Sequence, residues 1–112
     1  MSVLAAILVA STSLQITVSS TGDLMARKYT LRCNPSGGTL PRRADACRRL
    51  TRLRTPFAAT PKGTVCSEIY GGPRVAYVRG RFKGRSVSAT FNRRDGCAIA
   101  RWDRVRFLFP PT

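Results

Sequence analysis

Four cysteines and no histidine constrain this chain more than any other feature in it. Cys33, Cys47, Cys66 and Cys97 are widely separated, and none forms a C-x-x-C pair. A zinc site would need all four thiolates, at spacings that make poor metal loops. An even cysteine count in 112 residues favours two disulfides and an oxidising compartment instead. Three pairings are open on spacing alone. The sequential one closes a short loop from Cys33 to Cys47 and a longer one from Cys66 to Cys97. The missing histidine also removes Ser-His and Cys-His nucleophile activation. The acids, Asp23, Asp45, Glu68, Asp95 and Asp103, are too scattered for paired-carboxylate chemistry. The chain reads as a binding domain and not an enzyme, with no metal and no cofactor.

The length suits one domain. An apolar content of 43% supports a packed core even at a net charge of +15. Residues 1–10, MSVLAAILVA, resemble the end of a signal-peptide hydrophobic region without its basic flank. They are expected to be a signal remnant or a disordered amino-terminus, leaving residues 11–112 as the domain.

Ser13–Val18, SLQITV, alternates apolar and polar residues and predicts a strand. Lys28–Cys33, KYTLRC, predicts a second, with Tyr29, Leu31 and Cys33 on one face. In residues 41–54, PRRADACRRLTRLR, the spacing of Ala44, Cys47, Leu50 and Leu53 predicts a helix of about three turns opening at Pro41. Its six arginines form a solvated face. Residues 55–65 are irregular by their Pro and Gly content. Arg74–Phe82 and Ser86–Phe91 predict a hairpin turning at Lys83-Gly84. Arg93-Arg94-Asp95-Gly96 reads as a turn, and Val105–Phe109, VRFLF, as a last strand. The sum is an α+β layer: a five-stranded antiparallel sheet with one or two helices packed on one face.

The order of these features resembles the Streptomyces subtilisin inhibitor family, small secreted proteins of actinobacteria that block serine proteases. The resemblance rests on LQITV, on YTLRCNPSGGTLPRRADACRRL, on CSEIY, on GRFKGRSVS, and on DGC with a terminal FLF. It implies a five-stranded sheet with two helices, a homodimer joined through the sheet, and a secreted, extracellular protein. It implies the pairs Cys33–Cys47 and Cys66–Cys97. It places the reactive bond two residues after the third cysteine: Cys66 becomes P3, Ser67 P2, Glu68 P1, Ile69 P1′ and Tyr70 P2′, with Gly71 closing the loop. The expected partner is an extracellular serine protease.

The chain departs from the family pattern in four places. Ser67 stands where P2 is commonly Pro. Glu68 stands where P1 is usually Met, Lys or Arg. Gly71-Gly72-Pro73 replaces Asp-Pro, adding a residue and flexibility, and Asp95 replaces Asn. Glu68 is the only glutamate in the chain. A trypsin-like pocket would repel it, and an apolar pocket would desolvate it at a cost of several kcal/mol. The expected target is a glutamyl-specific protease or a broad subtilisin-like one. A different reading follows from the charge: a small cationic protein binding polyanions or membranes, using the helix arginines and Arg79, Arg81, Lys83 and Arg85 on one side of the hairpin. No motif for specific nucleic-acid binding is present.

Overall fold

The computed structural model describes residues 11–20 and 26–111. The expected signal remnant at 1–10 lies outside them. Strands β1 (Thr12–Ser19), β2 (Arg27–Cys33), β3 (Val75–Phe82) and β4 (Arg85–Phe91) form one antiparallel sheet in the order β2-β1-β3-β4. β1 is central, with Ile16 opposite Tyr29 on one side and Val78 on the other. Period-two alternation decides which side chains meet. Leu14, Ile16 and Val18 turn inward with Leu31, Ala76 and Val78, while Ser13 and Gln15 stay in solvent. The β3–β4 hairpin turns at Lys83-Gly84, both in left-handed backbone as a tight two-residue hairpin loop requires.

Two helices cover the inward face: α1 (Arg43–Thr51) and α2 (Gly96–Arg104). Leu40, Ala46 and Leu50 join Trp102, Val105, Leu108 and Phe109 in one core with the sheet's inward residues. Fully burying each leucine, isoleucine, valine or phenylalanine side chain of this core contributes about 1.5–3 kcal/mol. Aromatic rings extend this core towards the loops. Phe57 meets Phe82 edge-on with centroids 5.7 Å apart, and Trp102 meets Phe109 at 4.6 Å. Cys33 bonds Cys47, tying the end of β2 to α1, and Cys66 bonds Cys97, tying the 52–74 segment to α2. No helix among the described residues is long and apolar enough to cross a membrane.

The structure corrects the expectation in four respects. The sheet has four strands among the described residues, not five. Residues 105–109 form no strand: Val105 leaves α2 and Arg106–Leu108 make a 3₁₀ turn, with Leu108 N–H bonded to the Val105 carbonyl at 2.9 Å. A five-residue apolar run has too little length for its period to separate strand from helical turn. The first helix is shorter than residues 41–54, because Arg42, in left-handed backbone, precedes it; Ala46 is buried where Ala44 was expected and Ala44 is exposed. The four hairpin cations do not share a side. Arg79 and Arg81 face outward, Lys83 sits in the turn, and Arg85 pairs with inward-facing Phe82.

Candidate functional site

Between α1 and β3 the chain runs without regular structure and carries residues 65–73 past the start of α2. Two anchors hold the amino-terminal side of this loop. Cys66 is bonded to Cys97, with Cα atoms 5.2 Å apart, and the Ser67 carbonyl accepts from Gly96 N–H at 3.0 Å. Both anchoring residues belong to the first turn of α2. That turn is set by Asp95, whose side chain caps the helix by accepting from Ala98 N–H at 2.8 Å. The residue that departs from the family's Asn therefore serves as a helix cap behind the loop.

The carboxyl-terminal side is held by Arg93. Its carbonyl accepts from Gly71 N–H at 2.7 Å, and its Nε–H donates to the Gly71 carbonyl at 3.2 Å. The same guanidinium donates to Asp103 at 3.0 Å and lies over the Trp102 ring, 5.6 Å from its centroid. Arg74 stacks on the same ring at 5.0 Å and donates to the Pro110 carbonyl at 2.7 Å. Burial first, and then the charge of Arg93, lower the Arg74 pKa from its ordinary value. Behind the loop, Arg101 reaches the carbonyls of Ala58 and Thr90 at 2.9 and 2.6 Å, stapling the preceding segment and β4 to α2.

Gly71 was expected to add flexibility, and it is instead clamped. A Cβ there would meet Ile99 Cδ1 at 2.8 Å and Arg93 Cβ at 3.1 Å, so only glycine fits without displacing them. Gly72 follows in left-handed backbone, φ 104°, which turns the chain towards β3.

Between the clamps stand Glu68, Ile69 and Tyr70. Ile69 and Tyr70 are 64% and 65% exposed, Val65 is 95% exposed, and Glu68 is exposed with them. Among the described residues neither Glu68 nor Ile69 makes a hydrogen bond or ion pair. Large apolar side chains thus stand in water beside one carboxylate. The arrangement offers no chemistry of its own. Cys66, Asp95 and Cys97 lie close together, but both sulfurs are spent on their disulfide and so cannot act as thiolate ligands to a metal.

The structure thus brings Cys66, Ser67, Glu68, Ile69, Tyr70 and Gly71 into one projecting loop, with Cys97 beneath it, and keeps Cys33–Cys47 apart at the β2–α1 junction. The sequence reading missed Arg93, Asp103 and Trp102. Among twenty basic residues nothing marked Arg93.

These features place the chain in the class of disulfide-braced α+β domains that project a short loop clamped on both sides. Within that class the chain belongs to the subtilisin inhibitor-like family, whose model matches residues 10–93. It is a serine protease inhibitor by family and not an enzyme. Among solved structures it is similar to sermetstatin of Streptomyces caespitosus, seen in complex with subtilisin of Bacillus licheniformis. That match has 22% identity, a TM-score of 0.57, and covers 90% of this chain and 99% of the other. At this identity the likeness speaks for the fold. No curated protein matches the chain.

Proposed function

We propose that this protein is exported and blocks serine endopeptidases by presenting the Glu68–Ile69 bond as a pre-shaped substrate, with Glu68 as P1 and Ile69 as P1′. The observation that carries the reading is the pair of clamps on either side of that bond: Cys66–Cys97 with Ser67 to Gly96 before it, and Gly71 to Arg93 after it. A loop already held in place loses little conformational freedom on binding, so a small contact can be tight. If the bond is cut, the same clamps keep the new ends in register, which favours resealing over release. Two disulfides fit an oxidising, extracellular setting.

Glu68 selects the partner. Its exposed carboxylate suits a pocket built for glutamate, or a broad subtilisin-like pocket that leaves the carboxylate solvated, and is repelled by an acidic trypsin-like pocket. The test is a panel of glutamyl-specific, subtilisin-like and trypsin-like proteases, with recovery of the complex and mapping of the slowly cut bond. Cleavage between Glu68 and Ile69 is expected. Glu68→Lys is expected to weaken inhibition of the glutamyl-specific enzyme and strengthen that of trypsin. Unchanged inhibition of both would remove Glu68 from the P1 position.

A further inference from the structure

Between the first half of α1 and the carboxyl-terminal segment lies a cavity of about 420 Å³. No residue of the 65–73 loop lines it. Its size is at the lower end of small-molecule sites and suits a ligand with a single ring. The walls combine two chemistries. Trp102, Phe107, Phe109 and Pro110 form an apolar side. Four guanidinium groups, those of Arg42, Arg49, Arg74 and Arg106, share the lining with one carboxylate, Asp45. That carboxylate is already engaged, accepting from Arg49 at 2.9 Å and from Arg48 at 3.1 Å. Among the described residues no carboxylate pairs with Arg74 or Arg106.

Arg74 is the least compensated of the four. Its Nη2 donates to the Pro110 carbonyl and its guanidinium lies over the Trp102 ring, but its buried Nε has no hydrogen-bond partner among the described residues. Desolvation without a counter-charge disfavours the cation, which is why burial lowers the Arg74 pKa. An anion beside it would offset that cost.

We propose that this cavity binds a small aromatic carboxylate, its carboxylate held by the cavity's arginines and its ring set against the apolar side. The planar guanidinium fork matches a carboxylate, and aromatic walls favour a flat ring over a flexible chain. Other ligands satisfy half of the site. A metal cation is repelled by the arginines. Inorganic phosphate meets the charge and leaves the apolar side in water. A neutral ring leaves Arg74 uncompensated.

The test titrates the full chain with phenylacetate by calorimetry and follows the indole N–H of Trp102, the chain's single tryptophan, by NMR. Saturable binding with a Kd on the order of 0.1–1 mM is expected, with an indole shift that saturates in parallel. Phenylacetamide, which lacks the charge, and acetate, which lacks the ring, should each bind at least about tenfold more weakly. Arg74→Gln should weaken phenylacetate binding on the order of tenfold. Arg106→Gln should weaken it by about threefold or more, and keeps the test decisive if Arg74→Gln folds poorly, because Arg106 is exposed. Arg43→Gln, on α1 but outside the cavity, should leave the Kd within about twofold. No saturable binding by about 10 mM, or equal binding of phenylacetamide, would overturn the proposal. Equal loss in Arg43→Gln and Arg106→Gln would overturn the site, since net charge alone would then explain binding. Acetate or inorganic phosphate binding as tightly as phenylacetate would overturn the ligand class and leave an unselective anion patch.

Discussion

Arg93 meets Gly71 twice, accepting from its N–H and donating to its carbonyl, and spends the rest of its guanidinium on Asp103 and Trp102. Its truncation would remove the charge-assisted hydrogen bonds to the Asp103 carboxylate and the Gly71 carbonyl, a cost of about 1–3 kcal/mol. Arg93→Ala is therefore expected to weaken protease inhibition by roughly ten- to a hundredfold and to speed hydrolysis of the loop, read as Ki and as the rate of appearance of the cut chain. Arg93→Lys should recover little, because an ammonium cannot serve three partners in a planar fork. Asp95 acts at one remove, through the helix it caps. Asp95→Ala should cost about 1 kcal/mol in urea unfolding while Asp95→Asn stays near neutral, since both Asp and Asn cap well. Asp95 was legible in the sequence, as a capping residue ahead of the helix-spaced Ile99, Trp102 and Asp103; it was hidden only by being read as part of a turn.

Among the elements, α1 carries a charge cluster with a pH consequence. Burial raises the Asp45 pKa, but the hydrogen bond from Arg49 and the charges of Arg49, Arg42 and Arg48 outweigh it, leaving the group below its ordinary value of 3.8. A carboxyl lowered in the folded state stabilises above its unfolded pKa, and that support is lost as pH falls through the folded value. Amide-exchange protection of α1 should thus hold from neutral pH down to the ordinary carboxylate range and decline only below it. Asp45→Asn should remove that acid-side decline; an unaltered profile would show that these exposed arginines do not hold the helix. The strands were readable because their alternation reports directly which side faces the core. VRFLF was not, because Val105, Leu108 and Phe109 are buried by a turn whose direction is set by α2 before it.

For the whole molecule, the two disulfides make a comparison that separates stability from function. They close loops of 14 and 31 residues. Chain entropy assigns them similar contributions, about 3.0 and 3.7 kcal/mol. Cys33→Ser with Cys47→Ser, and Cys66→Ser with Cys97→Ser, should then lower the unfolding midpoint by comparable amounts. Only the second pair should abolish inhibition at temperatures where both variants remain folded. Loss of inhibition in both would mean that the loop depends on global rigidity and not on its own tether.

By itself the sequence determined the antiparallel β framework, the helix after Cys33, the absence of histidine chemistry and the exposure of Glu68 on a turn-rich segment. These follow from local rules: the period of apolar residues, the conformations open to Gly and Pro, and the chemistry of the residue types present. Tertiary structure decided which distant residues lie together. Lys28 and Arg32 join Arg79 and Arg81 only because β2 and β3 flank β1, and Arg93 reaches Gly71 only because the chain returns past the loop after β4. It also reversed the reading of Gly71-Gly72, from slack in the loop to a glycine wedged between Ile99 and Arg93. Contacts between residues 22 apart along the chain leave no mark in a local pattern. They exist only once the sheet has set the distance between the strands.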